Sequence, residues 1–138
     1  MSAMADGRYA VWGSSGHAKV LAHLIALNGG RIVATFDNDP EALALDGVPL
    51  YIAQAGLLRW CREVEAIDRV RGLVAIGGGR GRDRLQIQAL FAQHGLQVEP
   101  IVHPDASVDP SARLGAGTQV LAQAVVAAQA ELGAACIA

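Results

Sequence analysis

The chain has 138 residues, 52% of them hydrophobic, only 4% aromatic and 17% charged, a balance that suits stacked helices and parallel strands better than an aromatic-rich antiparallel sandwich. Eleven basic against thirteen acidic residues give a net charge of −2, with no basic cluster beyond Arg80, Arg82 and Arg84, which argues against nucleic acid as a partner. No stretch approaches the roughly 20 apolar residues of a membrane span, the start lacks a signal-peptide pattern, and Cys61 and Cys136 are single and far apart, so a cytoplasmic protein with no membrane partner, disulfide framework or metal site is expected.

Tyr9-Ala10-Val11-Trp12 is a short apolar run that ends in Gly13-Ser14-Ser15-Gly16, and Ala18, Leu21, Ala22, Leu24 and Ile25 then recur at helical spacing. This predicts a strand, a tight turn and a helix. Asn28-Gly29-Gly30 supplies residues that tolerate a left-handed cap, and residues 31–36 begin a second β-rich run, completing one βαβ unit by Asp37. After the polar turn Asp37-Asn38-Asp39-Pro40, residues 47–51 predict a short edge strand, because Pro49 cannot donate to a central ladder. A helix is expected over 54–65. A buried strand over 73–76 follows, ending in Gly77-Gly78-Gly79, and then a helix closed by His94-Gly95 and a last strand over 98–102. Such alternation implies a mostly parallel sheet covered on both faces.

The pattern changes after about residue 101, where aliphatic residues fall at every sixth position: Val102, Val108, Leu114, Val120, Val126 and Leu132. A six-residue step on a helix turns about 240° and sweeps these positions over every face. A triangular parallel β-helix accommodates the period, each side putting one aliphatic residue inside. The alternative is an Ala-rich helix over 119–135, which the Pro- and Gly-containing part of the same period disfavours. The expected domains are therefore a Rossmann-like nucleotide-binding domain over 1–101 and about two β-helix coils over 102–138.

Gly13-Ser14-Ser15-Gly16-His17 lies between strand and helix, where backbone N–H groups and the helix dipole attract an anion. The loop lacks the third glycine of the dinucleotide fingerprint, and a tight turn with no ligand is an equal reading of the motif alone. Asp37 stands where such folds place an acid against ribose hydroxyls, with Asn38 beside it; a solvated turn is the bland alternative. Gly77 and Gly78 close another strand at what should be the same sheet edge, so three loops would converge on one crevice. His17, at the helix start, suits hydrogen bonding better than carrying charge. His23 and His94 read as ordinary helix residues, and His103-Pro104 marks the junction with the hexads.

The ordered set of motifs from Val11 to Val20, Phe36 to Asp39, Ala75 to Gly78, Ile101 to Pro104 and the hexads resembles the sialic acid O-acetyltransferase family, the NeuD-like hexapeptide-repeat sugar acyltransferases, over nearly the whole chain. The resemblance implies a Rossmann-like domain followed by a left-handed parallel β-helix, a homotrimer, and acetyl-CoA-dependent acetylation of a UDP- or GDP-linked sugar in surface-glycan or sialic acid type biosynthesis. It implies that Gly13, Ser15, Gly16 and His17 contact the phosphates and nearby sugar, that Asp37 and Asn38 meet the nucleoside, and that Gly77 and Gly78 line the same crevice. Relatives often carry Asp or Asn followed by Asn where this chain has Gly78-Gly79. The family's catalytic histidine belongs to a motif expected just beyond Ala138, so the resemblance places no catalytic residue in this chain, reads it as truncated and expects it to be inactive alone. The rival readings are a non-catalytic nucleotide or nucleotide-sugar binding module and a small dinucleotide-binding regulator.

Overall fold

The computed structural model describes residues 4–138, so the first three residues of the expected 1–101 domain lie outside the described residues. Strands β1 (Arg8–Trp12), β2 (Arg31–Asp37), β3 (Leu50–Ile52) and β4 (Arg71–Val74) form a four-stranded sheet in the order β3-β2-β1-β4, parallel at every pairing. Helix α1 (Gly16–Leu27) joins β1 to β2, α2 (Ala53–Glu63) follows β3, and α3 (Gly81–Gln93) follows β4. The chain thus leaves β1 toward one edge of the sheet and returns to β4 on the other side. That reversal is the topological switch point at which open α/β sheets hold ligands.

Alternation along β1 explains the two cores. Ala10 and Trp12 face one side, where Phe36, Leu57, Trp60 and Phe91 complete a cluster under α2 and α3. Tyr9 and Val11 face the other, against Ala18, Leu21, Leu24 and Ile25 of α1 and Leu73 of β4. The few aromatic residues are concentrated on the first face: Phe36 stacks on Trp12 at 5.7 Å and meets Trp60 and Phe91 edge-on at 5.5 and 5.9 Å. Burying each such ring contributes about 1.5–3 kcal/mol.

The helix expected over 54–65 spans Ala53–Glu63, and three strands depart further from the sequence expectation. The edge strand starts only at Leu50, and the Pro49 carbonyl instead accepts from the Thr35 N–H at 2.9 Å and hydroxyl at 3.1 Å. The strand expected over 73–76 begins and ends two residues earlier, at Arg71–Val74. The strand expected over 98–102 does not join the sheet, which Gln97 touches through a single bridge to Arg71. Pro100 has no N–H to continue that ladder, and Ile101–Val102 (β5) pairs outside it.

From there the chain builds three two-stranded parallel ladders. β5 pairs with β8 (Gln119–Val120), β6 (Ser107–Val108) with β9 (Val125–Val126), and β7 (Arg113–Leu114) with β10 (Glu131–Leu132), every register being eighteen residues. Val102, Val108 and Leu114 therefore stack on Val120, Val126 and Leu132. The turns repeat on the same period: Gly117, Gln123, Gln129 and Ala135 all have positive φ, a conformation that costs a non-glycine residue roughly 1–2 kcal/mol. Gly115 lies against the next coil, where a Cβ would overlap the Gly133 carbonyl carbon. A strand-and-turn path of this kind occupies 119–135, where the Ala-rich helix was the alternative.

Candidate functional site: a cleft at the carboxyl edge of the sheet

The ladder runs one step past the ends of β1 and β4. The Gly13 N–H donates to the Phe36 carbonyl at 2.6 Å, and the Ala75 N–H to the Trp12 carbonyl at 2.7 Å. These bonds bring the loops after β1, β2 and β4 to one edge. Gly13 has φ +110, and a Cβ there would sit 2.6 Å from the Ala75 carbonyl oxygen, so only glycine lets the two loops approach so closely.

Between the loops lies a cleft of about 630 Å³ lined by Gly13, Ser15, His17, Asp37, Asn38 and Gly77, a volume within the usual range for small-molecule sites. The structure thus gathers six of the eight residues singled out from the sequence. Gly16 lines a neighbouring hollow of about 770 Å³ with Lys19, Asp39 and residues 42–46; Ser15 and Asp37 border both spaces. Gly78 lines neither, being exposed at φ +68 with its carbonyl turned to Arg84.

Asp37 is more than a turn residue. Its Oδ2 accepts from the Ser14 N–H and hydroxyl, both at 3.3 Å, and its Oδ1 accepts from the Asp39 N–H at 3.0 Å. The end of β2 is thereby tied to the loop after β1. Ser15 precedes α1 without a side-chain capping bond, so the Gly16 and His17 N–H groups at the helix start have no side-chain acceptor from it.

Several cleft residues escaped sequence reasoning. Trp12, Ala75, Ile76, Arg80, Asp83, Gln86 and Ile87 complete the lining. Among the described residues that line the cleft, Arg80 is the only arginine or lysine, held by Asp83 at 2.7 Å; the Arg80, Arg82, Arg84 run was the available signal, but nothing in it told one arginine from another. Arg84 is buried and donates to the carbonyls of Ile76, Gly78 and Ala135, each at 2.9 Å, fixing the glycine loop against the second coil. Gln119 comes from β8. Its Nε2 donates to the Val74 carbonyl at 2.8 Å, and its Oε1 lies 2.8 Å from His17 Nε2. The six-residue period treated Gln119 only as the neighbour of an interior Val120, giving no hint that it meets His17 behind the cleft.

The other histidines are placed elsewhere. His23 is exposed on α1, His94 caps the end of α3, and His103 Nδ1 accepts from the Asp105 N–H at 2.9 Å. Among the described residues, no group of three or more His, Cys, Asp or Glu is arranged to hold a metal ion, and no helix is long and apolar enough to cross a membrane.

Residues 8–89, the segment that builds this cleft, match the family model described as the PglD N-terminal domain. The chain belongs to that family. Solved structures agree with the placement. A histidine-to-asparagine mutant of perosamine N-acetyltransferase from Caulobacter crescentus, in complex with CoA and GDP-perosamine, is 31% identical at a TM-score of 0.81, covering 99% of this chain and 61% of that one. The acetyltransferase domain of PglB from Neisseria gonorrhoeae, in complex with acetyl coenzyme A, is 32% identical at a TM-score of 0.75, covering 96% and 61%. PerB from Caulobacter crescentus, in complex with CoA and GDP-perosamine, is 32% identical at a TM-score of 0.77, covering 99% and 61%. Among curated proteins, none matches this chain. The PglD N-terminal domain match and these structures bear out the sugar acyltransferase family read from the motifs, with the chain spanning about three fifths of the relatives' length.

Proposed function

We propose that residues 1–138 form the nucleotide-sugar-binding portion of an acetyl-CoA-dependent sugar acetyltransferase. The observation that carries this reading is the cleft itself, in which Gly13, Ser15, His17, Asp37, Asn38 and Gly77 meet at the switch point of a parallel sheet. An uncapped helix start and Arg80 suit a diphosphate, and the carboxylate of Asp37 suits ribose hydroxyls. Gly78, outside the lining, is assigned to shaping its loop, whereas Gly16, which lines the neighbouring hollow, contributes the first N–H of the helix start. Complexes of similar proteins with GDP-perosamine and CoA support a nucleotide sugar as acceptor and acetyl-CoA as donor.

The domains we assign are a Rossmann-like unit over 1–101 and the start of a left-handed β-helix over 102–138, the eighteen-residue register being the support for the latter. A trimer built around that helix, a cytoplasmic setting and a role in surface-glycan or sialic acid type biosynthesis complete the reading. Sugar acetyl transfer needs a base within about 3 Å of the acceptor proton. None of β6 to β10 carries a histidine, so residues 1–138 alone should bind the acceptor without acetylating it. A thiol-release assay with acetyl-CoA and a panel of nucleotide-linked amino sugars tests this, with perosamine N-acetyltransferase as positive control. Turnover by residues 1–138 comparable to the control would overturn the assignment of roles.

A binding module with no transferase partner is the second reading, favoured by the completeness of the cleft within residues 12–87. Acetyl transfer by a polypeptide of the relatives' full length, begun with this chain, would exclude it.

A further inference from the structure

Both ends of the Gln119 amide are committed, and this decides the chemistry of His17. Gln119 is buried at 1% exposure, so water is not available to satisfy it. The Val74 carbonyl can only accept, and the amide nitrogen must therefore face it, as the 2.8 Å bond records. The remaining end, Oε1, can likewise only accept, and it lies 2.8 Å from His17 Nε2. A hydrogen is thus required on Nε2. In a neutral imidazole one nitrogen donates and the other accepts, so Nδ1 carries a lone pair. Nδ1 has no hydrogen-bond partner among the described residues, and it sits beside Gly77, where even a Cβ would be 3.7 Å away. His17 and Gly77 line the same cleft.

We propose that His17 Nδ1 is a hydrogen-bond acceptor for a donor group of the bound nucleotide sugar, a hydroxyl or amino group, and that Gln119 is the positioning residue that holds this tautomer from the coil. The inference deepens the nucleotide-sugar reading and rests on it. In the neutral ring a lone pair facing a phosphate oxygen would meet another lone pair, so this tautomer favours the sugar over the diphosphate and leaves phosphate contacts to backbone N–H groups and Arg80. The proposal also accounts for a buried glutamine in β8: it carries a constraint from that strand to His17 in the cleft.

Long-range proton–nitrogen NMR of the histidine rings, at a pH where they are neutral, reads the tautomer without any ligand. The parent chain should show hydrogen on His17 Nε2 alone, and Gln119→Met should make an Nδ1–H form detectable. An Nδ1–H signal in the parent, or an unchanged ratio in a folded Gln119→Met variant, overturns the positioning role. A second measurement stands if that variant does not fold. In His17→Phe, the affinity for GDP and UDP should stay within about twofold of the parent while affinity for a nucleotide-linked amino sugar falls about tenfold, the scale of one lost hydrogen bond. An equal tenfold loss for the diphosphates would make His17 a phosphate ligand and overturn the proposal. If the parent binds no nucleotide at all, the functional reading fails and takes the ligand assignment with it, while the tautomer spectrum still decides the role of Gln119.

Discussion

Asp37 and Ser14 are joined twice, the carboxylate Oδ2 accepting both the backbone N–H and the hydroxyl of the serine at 3.3 Å. With the Asp39 N–H on the other oxygen, a single side chain holds the β2 end, the first loop and the turn after it in one arrangement. Asp37→Ala should therefore weaken nucleotide binding by about 1–3 kcal/mol and lower stability by about 1 kcal/mol, because partly exposed bonds are lost with the ligand contact. Calorimetry and thermal melting read the two effects separately. Unchanged binding with reduced stability would leave Asp37 a loop clamp only.

The glycines of the first loop should respond in opposite ways. Gly13→Ala puts a Cβ 2.6 Å from the Ala75 carbonyl oxygen at a φ of +110, and should destabilise the chain by about 2–4 kcal/mol. Gly16→Ala meets nothing within 4 Å at a helix start and should leave the melting temperature level or slightly raised. A tolerated Gly13→Ala would show that the loops at the sheet edge do not pack as described.

Arg84 is the test of how the coil and the sheet are tied. Replacing it with Met keeps most of the apolar stem but strips donors from the carbonyls of Ile76, Gly78 and Ala135, and should cost about 2–3 kcal/mol. Amide exchange should quicken both in residues 76–80 and around Ala135. Faster exchange at only one of the two would separate the loop from the coil.

Much of this was legible because burial is periodic. Two-residue alternation in Tyr9 to Trp12 and the hydrophobic residues of α1 follow directly from facing a core, and the six-residue period after Val102 reports stacking at an eighteen-residue register. The fate of residues 98–102 was not legible: an apolar run does not say which ladder it will join, and Pro100 removed the sheet as a partner only once Gln97 had made its single bridge. At the site, the loop after β1 was found because glycine and serine between a strand and a helix carry their own chemistry. Gln119 and Arg84 were missed because each reaches a main-chain carbonyl far along the chain, 45 and 51 residues away, and no local pattern encodes such a contact.

Cys61 packs at the margin of the aromatic core, and burial pushes its thiol above the ordinary range. A raised value in the folded state means that the protonated thiol is favoured by folding. The contribution is complete below the unfolded pKa of about 8.5 and is lost as pH rises through the higher folded value. Alkylation by iodoacetamide at pH 8 should accordingly be slower at Cys61 in the folded chain than after unfolding in urea. Equal rates would place Cys61 in free contact with solvent.

The cleft between Gly13, Asp37 and Gly77 is the place we assign to a nucleotide-linked sugar. Isothermal titration of residues 1–138 with GDP- and UDP-linked amino sugars, with NAD as the competitor class, tests it most directly. Saturable heat is expected with at least one sugar nucleotide, its affinity reduced about tenfold or more by Asp37→Ala, and no heat with NAD. Tight binding of NAD with no heat from any sugar nucleotide would contradict it and make the chain a dinucleotide-binding domain.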